Sequence, residues 1–172
     1  MKFIILSIVR NKKSLIKRLL SWVIIILYMA LIFTFSNQNG GKSNKISTDI
    51  TERVREYVTL PPVIQDQVRD RDLDYNYLLR KLSHFTEYFI LAILLFRALL
   101  LCRIKAWKSF AATFVICLTY AVTDEMHQGF VGGRSPRATD VVIDSYGAIA
   151  ALLIMSFRKI IKKKARYIFM RK

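Results

Sequence analysis

Four apolar stretches, Leu19 to Phe35, Leu82 to Leu101, Trp107 to Thr123 and Thr139 to Phe157, constrain this chain more than any other feature. Each comes close to the ~20 residues an α-helix needs to cross a ~30 Å hydrocarbon layer. A chain of 172 residues that is 53% hydrophobic and 23% charged could not sort both classes in one soluble core, but it can separate them along its length. The expected fold is therefore an all-α integral membrane protein, a bundle of four transmembrane helices. Residues 1–18 form a basic arm, 19–157 the membrane domain and 158–172 a basic tail.

A formal charge of +16 would point to nucleic acid in a soluble protein, so where the charge lies decides the matter. Lys2, Arg10, Lys12, Lys13, Lys17 and Arg18 precede the first span, and Arg97, Arg103, Lys105 and Lys108 surround the turn between the second and third. The tail runs from Arg158 to Lys172. None of these regions holds an acid, and all 12 Asp and Glu residues fall on the other side. The positive-inside rule then sets both ends of the chain in the cytoplasm and gives nucleic acid no part. The basic rim also suits anionic lipid head groups. The first span is too long and lacks the small-residue site of a cleaved signal, so it reads as a retained anchor. Cys102 and Cys117 sit at a helix end and inside a span, where packing rather than disulfide chemistry is expected.

There is no repeat of fixed period. The segment from Ser36 to Lys81 is long for a connection. Within it Ile46, Ile50, Val54 and Tyr57 recur at helical spacing until Pro61 and Pro62, which predicts an amphipathic helix on the outer membrane face, lying flat or acting as a lid. Asp72 or Asp74 is placed to cap the helix that enters the second span.

Three polar segments meet the outer boundary: R-K-L-S-H-F-T-E-Y (Arg80 to Tyr88), T-D-E-M-H-Q-G-F-V-G-G-R (Thr123 to Arg134) and T-D-V-V-I-D-S-Y-G (Thr139 to Gly147). Antiparallel spans bring them to one end. His84 and Glu87 are i,i+3 on one helix, and Asp140 and Asp144 are i,i+4 on another. Asp124, Glu125, His127 and Gln128 close the third span. Carboxylates below the head groups cost roughly 2.5–3.5 kcal/mol on insertion scales unless paired, protonated or coordinated. His84, Glu87, Asp124, Glu125, His127, Asp140 and Asp144 are thus the candidate catalytic residues, while Lys81, Gln128, Arg134 and Arg137 are candidates for holding a substrate phosphate or carboxylate. The plainer alternative is that Arg80, Lys81, Arg134 and Arg137 merely lock the helix ends through ion pairs. Gly147 and Ala148, one turn beyond Asp144, would let a neighbouring helix approach until that carboxylate meets His84 or Glu87.

These segments resemble the VanZ-like family of bacterial membrane proteins, whose motifs read R-K-x-x-H-F-x-E-Y, D-E-x-H-Q-x-F-V-x-G-R and D-V-x-x-D-x-x-G. The resemblance covers about residues 20–157 and extends to Phe35, Ser36 and Gln38 at the exit of the first span, adding Ser36 and Gln38 to the substrate-binding candidates. Gly132 stands where members often have proline, and Ala150 and Ala151 where a second glycine is common. The family is named for a protein linked to resistance to teicoplanin, a glycopeptide that acts on wall precursors outside the membrane. The resemblance thus implies a bacterial cell-membrane protein whose partners are membrane lipid, a lipid-linked wall precursor or the antibiotic.

Three other function classes remain open. His84, Glu87, His127, Asp140 and Asp144 would bind a divalent ion such as zinc or manganese in a metal-dependent hydrolase or transferase, although no H-E-x-x-H motif is present. A proton-coupled carrier would use Glu87, Asp144 and His84 as relays, but the inner halves of the spans offer no continuing chain of titratable groups. A serine hydrolase has least support, because Ser36, Ser83, Ser135 and Ser145 lack a G-x-S-x-G context.

Overall fold

A computed structural model of the protein describes residues 2–37, 75–131 and 136–169. It contains helices α1 (Lys2–Ser36), α2 (Tyr75–Leu101), α3 (Ala106–Gln128) and α4 (Ala138–Phe169), and no strand among the described residues. Four segments, Lys12–Ser36, Arg80–Leu101, Ala106–Gln128 and Ala138–Arg158, are long and apolar enough to cross a membrane. An apolar run in hydrocarbon has no water to satisfy its backbone, so it closes every N–H onto its own carbonyls. Each span therefore extends a little past its apolar run into flanking polar residues, and the basic arm and tail continue the helices of α1 and α4. The expected amphipathic helix over residues 46–57 and the cap at Asp72 or Asp74 lie outside the described residues, as do Gln38 and Arg134.

Helix α2 is the hub, touching all three others, with its broadest contact on α4. Its inward face carries Tyr88, Leu91, Ala92, Leu95, Phe96 and Ala98, all buried. The opposing face of α4 is made of Gly147, Ala148, Ala151 and Leu152. Small residues there let the backbones come together, and a methyl group on Gly147 would overlap the Phe85 carbonyl and lie 3.1 Å from its carbon. Ala151 keeps the contact tight without the second glycine.

Helix α1 lies against α2 and, more sparsely, α3. Among its described side chains a narrow stripe, Ile25, Ile32 and Ser36, is buried, and Leu19, Leu20, Val23, Ile24, Ile26 and Leu27 face outward. Two tyrosines hold it in place. Tyr28 donates to the Glu87 carbonyl at 3.3 Å, and Tyr120 of α3 donates to the Met29 carbonyl at 2.7 Å.

Helix α2 stops by a Schellman closure. The Arg103 N–H reaches the Leu100 carbonyl at 3.0 Å and the Ile104 N–H reaches that of Leu99 at 3.2 Å, with Arg103 in the left-handed region at φ 63°. This short turn makes α2 and α3 antiparallel neighbours, so the end of α3 meets the start of α2.

Candidate functional site

Alternating helix directions put the last residues of α1 and α3 beside the first residues of α2 and α4. Ser36, Lys81, His84, Asp124, Glu125, Gln128, Asp140 and Asp144 are all buried at this one end. The sequence-based expectation of convergence is met by most of the candidate residues, and the acids have found partners.

Two pairs connect α2 to α4. Nearer the helix ends, the Lys81 ammonium is paired with Asp140 Oδ1, and Arg80 Nη2 stands 3.8 Å from Asp140 Oδ2. About one turn deeper, His84 Nδ1 lies 3.3 Å from Asp144 Oδ1. Asp144 is 1% exposed, the most enclosed acid of the cluster. The spacing is a consequence of the helices: three residues on α2 and four on α4 each advance roughly one turn, so two helices running in the same direction repeat the contact. Contact of Gly147 with Phe85 sets how close the two helices come, and with it the reach from Asp144 to His84.

Helix α3 brings two carboxylates that serve different ends. Asp124 accepts a hydrogen bond from Gln128 Nε2 at 3.1 Å, the i,i+4 bond that their spacing predicts. Glu125 accepts the backbone N–H of Arg137, immediately before α4 begins. It thereby binds the start of α4, where unpaired N–H groups and the helix dipole favour a negative charge. Arg137 thus enters the site through its backbone. Its side chain is exposed.

Tyr88, one turn beyond His84 on the same face, is fully buried. Its hydroxyl has no hydrogen-bond partner among the described residues and lies within electrostatic reach of Asp124 and Asp144. Spacing from His84 would have singled it out, but an aromatic residue inside an apolar run looks like packing. Glu87 is half-buried at the edge of the cluster, where its backbone carbonyl receives Tyr28. Its charge is within reach of His84. His127 stacks on Phe33 of α1, with ring centroids 4.4 Å apart. It steadies the α1–α3 contact.

Among the described residues no three or more His, Cys, Asp or Glu side chains are grouped so as to hold a metal ion. The expected ligand set of His84, Glu87, His127, Asp140 and Asp144 is divided. Lys81 is paired with Asp140, His127 stacks on Phe33, and His84 meets Asp144.

What remains is a buried polar cluster built around an imidazole and a carboxylate, braced by an ammonium–carboxylate pair on one side and a capped helix on the other. Such an arrangement can orient a head group or move a proton, and it is enclosed enough for its electrostatics to be strong.

No curated protein and no solved structure matches the chain. A family model described as VanZ/LLP1 matches residues 21–161, which takes in most of the first membrane-crossing segment, the whole of the other three and every residue of the buried cluster. The chain is a multi-pass membrane protein and belongs to the VanZ/LLP1 family.

Proposed function

We propose that this protein works at the outer face of the bacterial cell membrane, where its polar end engages the head group of a membrane lipid or lipid-linked wall precursor and lowers susceptibility to glycopeptides such as teicoplanin. In this reading both ends of the chain lie in the cytoplasm, following the basic residues of the arm, the α2–α3 turn and the tail. The observation that carries it is the burial of His84, Asp124, Glu125, Asp140 and Asp144 at one end of the bundle. Ionised groups are costly at that depth, and helix ends can be held together by far cheaper apolar contacts. Lipid-linked wall intermediates and the lipid tail of teicoplanin share that boundary, which supports the choice of ligand.

The test is genetic. Deleting the gene is expected to raise teicoplanin susceptibility, wild-type protein to restore resistance, and Asp144→Asn at equal membrane abundance to fail. Unchanged susceptibility and unchanged surface lipids in the deletion strain would sink the proposal. Reporter fusions after Lys172 and within residues 38–74 check the orientation, the first being expected active inside and the second outside.

A further inference from the structure

The two pairs that join α2 to α4 differ in what they leave over. Lys81 spends its charge on Asp140. His84 spends only Nδ1, which is enclosed against Asp144, while 9% of its side chain remains exposed. An imidazole with one nitrogen held on a buried carboxylate is the arrangement by which acid–base catalysis fixes ring orientation and tautomer. Asp144 cannot shift: Gly147 pins its helix against the Phe85 backbone.

Arg80 supplies the second element. It sits four residues before His84, on the same face of α2. Its guanidinium is 3.8 Å from Asp140, whose other oxygen already holds Lys81, and its side chain is 30% exposed. Such a loosely held guanidinium keeps donors for an anionic oxygen, which suits a phosphoryl group in particular.

Resting on the outer-face reading above, we infer that His84 is the general acid–base residue for hydrolysis of a phosphoester presented at the membrane boundary, with Asp144 as its positioning residue and Arg80 binding the phosphoryl oxygens. His84 Nε2 takes a proton from water as the new P–O bond forms. The ester P–O bond then breaks, and the same proton passes to the departing alkoxide, leaving an alcohol and a phosphate ester. No oxidant or reductant is needed.

The test uses the full chain in phosphatidylcholine nanodiscs with bis(p-nitrophenyl) phosphate as a soluble phosphodiester, p-nitrophenyl butyrate as a carboxylic ester, and nanodiscs doped with phosphatidylglycerol as the lipid phosphodiester. Hydrolysis of a phosphodiester is expected, falling about 10²–10⁴-fold in His84→Ala. Asp144→Asn should lose at least about 10²-fold while its thermal unfolding confirms a folded bundle, with Asp144→Glu recovering part of the loss. The pH profile of kcat/KM should lose one limb in His84→Ala, which a merely structural histidine would not cause. Arg80→Ala should raise KM more than it lowers kcat. Turnover of phosphatidylglycerol places the ester on a lipid, and turnover of the soluble diester alone places it in water. Absence of any phosphodiester hydrolysis, hydrolysis of the carboxylic ester alone, or full activity in folded His84→Ala overturns the inference. If Asp144→Asn also abolishes resistance in cells while no phosphodiester is cleaved, the head-group reading stands and only the chemistry assigned to it falls.

Discussion

The two ends of the helix bundle solve the same packing problem with different materials. At the end where α2 and α4 begin, five acids, two basic side chains and His84 gather, and the helices are joined by charge. At the opposite end the buried polar residues among those described are Ser109 and Thr113, both neutral, set beside Phe96, Ala98, Leu99 and Cys117. There the Ser109 hydroxyl donates to the Ile104 carbonyl at 3.4 Å and the chain turns on the backbone hydrogen bonds of Cys102, Arg103 and Ile104. A bundle can therefore be closed without buried charge, and this protein does so at one of its ends. The charge at the other end needs a reason beyond closure.

The largest expected effect comes from unpairing the outer of the two pairs. Lys81→Met leaves Asp140 buried with Arg80, at 3.8 Å, as its one remaining cation among the described residues. Thermal unfolding in detergent should show a loss of about 3 kcal/mol, the size seen when one member of a buried pair is removed. Lys81→Met combined with Asp140→Leu should recover most of that, since two apolar groups can replace a buried pair at little cost. A single variant as stable as the parent would mean that the pair is hydrated and the contrast between the ends is one of composition only.

Next in size is the contact that sets the spacing of the pairs. Gly147→Ala places a methyl group against the Phe85 carbonyl, which is backbone and cannot swing aside. Separating α2 from α4 should cost about 1–3 kcal/mol. It should also lengthen the His84–Asp144 contact, so phosphodiester turnover is expected to fall further than stability alone explains. Equal stability and turnover in Gly147→Ala would show that the helices are free to part and that the spacing is not imposed by the glycine.

These contacts show how far the sequence could be read. The four spans follow from apolar length, and convergence of the polar segments follows from short turns between antiparallel helices. The approach of Asp144 to His84 was legible from Gly147 and Ala148, and the Asp124–Gln128 bond from i,i+4 spacing. Spacing says which residues share a helix face, but not which neighbouring helix that face meets. For that reason spacing alone places His127 one turn from Asp124 on α3 but does not reveal its stacking on Phe33 of α1. Glu125 could not be assigned from sequence because its partner is a backbone N–H twelve residues on, a donor that every non-proline residue possesses. Tyr28 and Tyr120, which clasp α1, look like ordinary lipid-boundary aromatics until the facing carbonyls are known.

The smallest expected effect tests the apolar end and should have the opposite sign. Thr113 is fully buried, and its hydroxyl has no hydrogen-bond partner among the described residues. Thr113→Val exchanges that hydroxyl for a methyl group of similar shape, and both side chains are branched at Cβ, so helix propensity and packing barely change. Removing an unsatisfied buried donor should leave stability unchanged or raise it by up to about 1 kcal/mol. Thermal unfolding of the variant decides this, and phosphodiester turnover should match the parent. A clear loss of stability would mean that Thr113 makes a polar contact, through water or lipid, and that the apolar end too depends on polar bonds. A gain would separate the ends sharply: at one, polar groups are dispensable to the fold, and at the other each buried acid is answered by a side chain or backbone group that can be named.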